Sequence, residues 1–207
     1  MSNISRRDFL KTAGVMTLAV AAAGVLAGCE GNAAPEAPVT GNKKLGDVVT
    51  IGDFEFSVAQ AKQLQAPTTY NPSTGEAESA KQRELCLVYT VKNTGKKEGP
   101  FGWKNLTVYI NGKKAAQGDV ETDPVKNFGE ATTFLNDQGK QTALNANSKN
   151  AVRFLDQFVV PTTNYGDVNA EKQEYVDITS IQVVYHDAKN NVHVVYDIET
   201  PAVEARK

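Results

Sequence analysis

Apolar and polar residues alternate along most of the chain beyond residue 45, and this period-two pattern predicts β-strands. Gly, Asn and Pro residues separate the alternating segments, as turns between strands require. No helical period of useful length is present. About eight strands spaced in this way predict an all-β sandwich in residues 45–207. The predicted strands include Asp47–Ile51, Phe54–Ala59, Leu85–Lys92, Ala131–Leu135 and Ala151–Val160.

Two hairpins can be predicted from local sequence. Asn111-Gly112 is a strong signal for a tight turn after the predicted strand Trp103–Ile110, so Val108–Ile110 should fold back onto residues 113–115. In the last hairpin, a slip of one residue would send one set of apolar side chains to the opposite face. Apolar matching therefore predicts that Ile181 lies opposite Ile198, Val183 opposite Tyr196 and Tyr185 opposite Val194. The same register places His186 opposite His193.

The first 28 residues have the layout of an export signal. Ser5-Arg6-Arg7-Asp8-Phe9-Leu10-Lys11 precedes an apolar run from Ala13 to Gly28, which ends at Leu26-Ala27-Gly28-Cys29. The run is roughly 16 residues long, whereas a membrane-spanning helix needs about 20. A cleaved signal peptide is therefore favoured over a transmembrane helix.

This segment resembles the signals of bacterial lipoproteins that are exported by the twin-arginine route. The resemblance implies that Arg6 and Arg7 direct export, that residues 1–28 are removed, and that Cys29 carries the lipid. Two acyl chains on one residue are enough for stable anchoring. The expected location is the outer face of the cytoplasmic membrane. Residues 29–44, rich in Gly, Ala, Pro and Asn, should form a flexible linker to the domain at 45–207.

The charge balance argues against two classes of partner. The full chain has a net charge of −2, and residues 1–28 contain three basic residues and one acidic residue, so the remaining chain carries −4. Nucleic-acid binding and electrostatic adsorption to anionic lipid both need clustered positive charge, so neither is expected.

Cys86 lies inside the apolar strand Leu85–Lys92 and is predicted to be a small buried hydrophobic residue. A nucleophilic thiol needs a histidine and a carboxylate, which the neighbouring sequence does not supply. The sequence also contains no G-x-S-x-G, H-E-x-x-H or P-loop motif. These observations predict a protein that is not an enzyme, with no catalytic residue and no cofactor.

Two groups of residues are weak candidates for metal ligands. His186 and His193 could supply two nitrogens to a transition metal, but such sites use three or four ligands, and an exposed cross-strand pair is the alternative. An acidic stretch resembles part of a calcium loop, although Pro124 stands where an EF-hand needs Gly. The remaining alternatives for this stretch are a looser calcium site and a solvated loop, and we expect no bound metal. The acidic stretch consists of Asp119, Glu121, Asp123, Asn127 and Glu130.

Aromatic residues and long loops are candidate contact surfaces. Phe101 and Trp103, together with Tyr109 and Phe128, could form a patch for carbohydrate or peptide if they are exposed, because aromatic side chains offer large contact areas. The alternative is that Trp103 fills the core of the sandwich. Two long predicted loops could also contact a partner, since loops on a rigid scaffold often carry function. These loops are Gln65–Glu84 and Asp119–Asn150.

Two stretches resemble a family of bacterial lipoproteins that carry an uncharacterised immunoglobulin-like domain. Gly46–Val58 is similar to its opening strand pair, and Val88–Gly95 to its third strand, which ends in Lys-Asn-Thr-Gly. The resemblance implies an immunoglobulin-like sandwich of about seven to nine antiparallel strands at the cell surface. The expected function is non-enzymatic binding of an envelope protein or peptide. A metal-binding envelope lipoprotein is the alternative.

Overall fold

The computed structural model describes residues 43–65, 83–118, 123–162 and 175–207. All of them belong to one compact unit, Ala34–Lys207. The proposed export and lipidation residues, Arg6, Arg7 and Cys29, lie outside the described residues. Among the described residues, no helix has the length and apolar character that a membrane span requires.

The described residues form ten strands in two sheets. In chain order they are β1 (Val49–Ile51), β2 (Phe54–Gln65), β3 (Arg83–Asn93), β4 (Leu106–Ile110), β5 (Lys113–Lys114), β6 (Thr133–Phe134), β7 (Val152–Val159), β8 (Ile181–Asp187), β9 (Val192–Ile198) and β10 (Val203–Ala205). The larger sheet has the order β1-β2-β3-β7-β6, with β10 also paired to β2. The smaller sheet has the order β5-β4-β8-β9. The predicted all-β sandwich is confirmed, and β6 and β10 add two parallel pairings to it.

The core lies between the two sheets. Leu85, Leu87, Tyr89 and Val91 of β3 point into it, as strand alternation predicts, and pack with residues of the smaller sheet such as Val183. The opposite face of the larger sheet carries a second buried cluster. That cluster contains Leu64, Cys86, Val88 and Leu155, and it also includes Phe128 of the short helix α1 (Pro124–Phe128). Both faces of β3 are therefore buried, which makes it the central strand of the fold.

Both hairpin predictions are confirmed. Asn111 and Gly112 have φ values of 51° and 74°, and they place Ile110 opposite Lys113. In the last hairpin, Ile181 pairs with Ile198, Val183 with Tyr196, Tyr185 with Val194 and His186 with His193. The hydroxyl of Tyr196 ties this hairpin to the other sheet, because it donates to the carbonyl oxygens of Asp47 at 2.8 Å and Phe56 at 3.3 Å.

Three regions differ from the predictions in detail. Trp103 does not begin a strand but a 3₁₀ turn, Trp103–Asn105, which precedes β4. The predicted loop Asp119–Asn150 contains α1, β6 and a second 3₁₀ turn, and residues 119–122 lie outside the described residues. Of the predicted loop Gln65–Glu84, the first residue ends β2 and the last two belong to β3, while residues 66–82 are not described.

Candidate functional site

A carboxylate lies on the core-facing side of β7. Val152, Phe154 and Phe158 of this strand pack into the main core, and alternation places Asp156 on the same face. Its partner in the register is Leu87 of β3, which is also a core residue. Asp156 is only 7% exposed. An acidic side chain therefore occupies a position where the pattern calls for an apolar one.

The outer edge of β7 is covered by two separate segments, which leave a gap at Asp156. β6 pairs with Phe154 and Leu155, which come before Asp156 in the strand. After Asp156, Gly118 N donates to Gln157 O at 2.8 Å, and Val159 N donates to Ala116 O at 3.0 Å. Asp156 lies between these two pairings, where neither segment covers the strand.

Two cavities adjoin this gap. The larger has a volume of about 640 Å³ and lies among residues of the 100–108 segment, the 114–117 segment and β7. The smaller has a volume of about 470 Å³ and lies against β6 and the outer side of β7. Both volumes fall in the range of small-molecule sites, about 300–1,000 Å³. The lining residues that the two cavities share are Gln117, Leu135, Lys140 and Asp156.

The carboxylate of Asp156 is only partly satisfied. Its Oδ1 accepts a hydrogen bond from Gln117 Nε2 at 2.7 Å and one from the backbone N of Gln157 at 3.1 Å. Its Oδ2 has no hydrogen-bond partner among the described residues. Burial raises the pKa of Asp156 from 3.8 to about 6, although these two hydrogen bonds and the charge of Lys140 oppose the rise. The two hydrogen bonds and the charge of Lys140 therefore offset only part of the cost of burying the Asp156 charge.

Two unsatisfied polar atoms lie in the neighbouring core. The hydroxyl of Tyr89 and the indole N–H of Trp103 are buried and have no hydrogen-bond partner among the described residues. Their ring centroids are 5.8 Å apart. Burial, and then the charge of Asp156, raises the pKa of Tyr89. Unsatisfied buried groups are uncommon in proteins, and one of these two belongs to Trp103, which lines the larger cavity.

Of the four aromatic residues suggested as an exposed patch, Phe101 and Trp103 line the larger cavity, whereas Tyr109 and Phe128 are buried in two other clusters. Phe101 is 3% exposed and Trp103 is 5% exposed. The Phe101 ring stacks on Phe56 with a centroid distance of 5.2 Å, and it meets Trp103 edge-on at 4.7 Å. A surface patch for carbohydrate or peptide is therefore absent here, because the core position that was the alternative for Trp103 is the one observed. Both rings nevertheless line the cavity.

The histidine pair is accessible to solvent on the smaller sheet. The Nδ1 atoms of His186 and His193 are 3.2 Å apart, and the ring centroids are 5.3 Å apart. Burial, and then the positive charge of His186, lowers the pKa of His193. Within the described ranges, no group of three or more His, Cys, Asp or Glu side chains could hold a metal ion. The pair could thus offer two ligands and would need others from solvent.

The acidic stretch does not form a set of calcium ligands in the part of the chain that is described. Asp119 and Glu121 lie outside the described residues. Asp123 caps α1, since its Oδ1 accepts from the backbone N of Lys126 at 3.1 Å. Its Oδ2 is 3.4 Å from the Lys126 ammonium, and Glu130 pairs with Arg153 at 3.3 Å. Asn127 binds the C-terminal residue Lys207.

Cys86 occupies the buried position that the sequence predicts. It is fully buried between neighbouring strands of the larger sheet. Burial, with a smaller contribution from Glu84, raises the pKa of its thiol to about 12. A thiol with this pKa is almost entirely protonated at neutral pH, so it is a poor nucleophile.

Comparison with solved structures finds partial likenesses at low sequence identity. The candidate lipoprotein ycdA of Bacillus subtilis is 18% identical, with a TM-score of 0.42, and the match covers 73% of this chain but only 38% of that one. The yjhA protein of Bacillus subtilis is 11% identical, with a TM-score of 0.42 and coverage of 76% and 99%. A β-sandwich protein of Clostridium difficile 630 is 12% identical, with a TM-score of 0.38 and coverage of 80% and 100%. No family model and no curated protein matches the chain.

Proposed function

We propose that this protein is a lipid-anchored component of the cell envelope whose β-sandwich binds a small organic ligand between its sheets. The export pattern around Arg6 and Arg7 and the lipidation pattern at Cys29 support the location. The observation that carries the binding function is the larger cavity, with the buried carboxylate of Asp156 in its wall.

The lining of this cavity supports binding rather than catalysis. About half of its lining residues are apolar or aromatic, and the polar ones include Asp156, Gln117 and three lysines, so the site offers both an apolar surface and groups that can orient a ligand. Asp156 is the only carboxylate in the lining, and three lysines, Lys104, Lys114 and Lys140, also line the cavity. None of them forms a salt bridge with Asp156 among the described residues, so these groups do not make the contacting acid–base or nucleophile–base pair that such chemistry needs.

The binding proposal can be tested with a cavity-filling variant. Trp103 is the only tryptophan in the chain and lies in the cavity wall, so its fluorescence should report on occupancy. The fragment Ala34–Lys207 would be titrated with three molecules of one shape, 4-phenylbutylamine, 4-phenylbutanol and 4-phenylbutyrate. At least one should change Trp103 emission in a saturable way.

Ala115→Phe should abolish that response, because Ala115 lines the cavity. Ala116→Phe is the matched control, since Ala116 is exposed and does not line it. Binding that survives Ala115→Phe unchanged would show that the ligand lies elsewhere. No response to any of the three molecules would contradict the proposed function.

The location is tested separately by cell fractionation. Cys29→Ser should release the processed protein from the membrane, whereas Cys86→Ala, a change at the other cysteine, should leave it bound. Lysine at both Arg6 and Arg7 should prevent export by the twin-arginine route. A Cys29→Ser variant that still fractionates with lipid would contradict the anchoring.

A second candidate function is transition-metal binding at the histidine pair. Two nitrogens that ligate one tetrahedral zinc ion are about 3.4 Å apart, given Zn–N distances near 2.05 Å. The Nδ1 atoms of His186 and His193 are already separated by a similar distance, 3.2 Å. Calorimetry with zinc, copper and calcium tests this function, and His193→Ala should remove any heat that the pair causes.

A further inference from the structure

Asp156 lacks a cation within contact distance. The salt bridges among the described residues do not include it. Lys140 lines the same cavity, but its ammonium lies 3.5 Å from Gln117 Oε1, and Gln117 uses its other amide atom, Nε2, to bind Asp156. Lys140 therefore attracts the carboxylate through space, across the amide of Gln117. A buried carboxylate without a direct partner favours binding of a positive group.

The walls near Asp156 suit the same kind of group. Phe101 and Trp103 form one wall of the cavity, and Phe158, two residues from Asp156, forms part of another. These rings are only 3–6% exposed, so they supply an apolar lining for the body of such a molecule rather than open faces for its charge. The remaining cations in the lining, Lys104 and Lys114, are exposed, so water and salt screen their charges.

We propose that the cavity binds an organic amine, in which an apolar or aromatic body lies among the aromatic walls and a single ammonium group pairs with Asp156. This proposal rests on the proposed function and specifies its ligand class. The free oxygen Oδ2 accepts the hydrogen bond of the ammonium, while Gln117 continues to hold Oδ1 at 2.7 Å. Asp156, which lies in the gap between the two segments that cover β7, thus supplies the acceptor that recognises the ammonium group.

The same three molecules test the ligand class, because they share a phenylbutyl body and differ in the charge of one end. The amine should bind the fragment Ala34–Lys207 about ten-fold or more tightly than the alcohol, as charge-assisted hydrogen bonds allow. The carboxylate should bind most weakly, since it would meet the charge of Asp156.

Asp156→Asn should lower the affinity for the amine by about ten-fold or more and change that for the alcohol by less than about three-fold. Asp137→Asn is the control, because Asp137 is an exposed carboxylate that borders only the smaller cavity. It should leave the affinity for the amine unchanged. Lys140→Gln is a second test that keeps Asp156 intact, and removing this competing cation should raise the affinity for the amine by about two-fold or more.

The outcomes separate the two proposals. If 4-phenylbutyrate binds best, the lysines determine the specificity and the amine proposal is wrong, while ligand binding in the cavity stands. Equal binding of all three molecules, with no effect of Asp156→Asn or Lys140→Gln, would also overturn the amine proposal alone. If none of the three molecules binds, both the ligand class and the proposed function fail.

Discussion

The buried carboxylate of Asp156 should make folding less favourable at neutral pH than at acid pH. Its pKa rises from 3.8 to about 6 on folding, mainly because of burial. Between these two pH values, the folded chain holds a proton that the unfolded chain has released. The free energy of unfolding therefore falls as the pH rises from about 4 to about 6, and this contribution is constant above that range. Each pKa unit corresponds to about 1.4 kcal/mol, so the total change is about 3 kcal/mol.

Asp156→Asn removes this ionisation and keeps the shape of the side chain. The difference in unfolding free energy between the variant and the wild-type protein should therefore increase by about 3 kcal/mol from about pH 4 to about pH 7, in favour of the variant. Urea denaturation, followed by Trp103 fluorescence at several pH values, measures this difference. Other titrating groups are common to both proteins and largely cancel.

Asp137→Asn serves again as the control for the loss of an exposed carboxylate. A difference between Asp156→Asn and the wild-type protein that stays constant across this pH range would refute the reasoning. In that case Asp156 would be solvated as in the unfolded chain, and the argument for a buried, uncompensated charge in the cavity would be wrong.

Three further predictions concern other parts of the molecule. Tyr196→Phe should lower the free energy of unfolding by about 1 kcal/mol, measured by urea denaturation, because it removes the hydroxyl that donates to Asp47 and Phe56. Cys86 should resist alkylation by iodoacetamide in the folded protein and react after unfolding, because burial raises its pKa to about 12; rapid native labelling would contradict this. His186→Ala should raise the pKa of His193 towards its ordinary value of 6.5, as NMR titration would show, because the charge of His186 contributes to the lowering; an unchanged or lower pKa would contradict it.

Sequence reasoning succeeded where neighbouring residues determine the structure. The β8–β9 register could be predicted because the apolar residues of the two strands match in number and spacing, and a slip of one residue would send one set to the opposite face. The turn at Asn111-Gly112 could be predicted because its backbone needs positive φ at both positions. In each case the interacting residues belong to one hairpin, and even the outermost pair, Ile181 and Ile198, is only 17 residues apart.

Pairings between distant segments could not be predicted in this way. β10 is short, and all three of its residues are exposed, so no alternation of apolar and polar residues predicts it. Its partner, the end of β2, lies far away in the sequence. Trp103 could be expected in the core, but its 3₁₀ turn depends on how the 100–106 segment meets the smaller sheet.

The site itself has a signal in the sequence. The apolar positions Val152, Phe154, Phe158 and Val160 recur at every second residue, with one omission at Asp156. A single polar residue in such a series can reflect an irregular strand as easily as a buried charge. The structure decides between these possibilities, because two separate segments cover the outer edge of β7 and leave Asp156 in the gap between them.

The edge of the larger sheet at β2 has a consequence for self-association. β1 covers Phe54–Phe56 and β10 covers Gln63–Gln65, so among the described residues the uncovered stretch is short. A bulge between Val58 and Gln60 interrupts the regular spacing of backbone groups there. Short, irregular edges discourage another chain from adding a strand. Deleting residues 203–207 would lengthen the free edge, and oligomers joined through β2 are then the expected result.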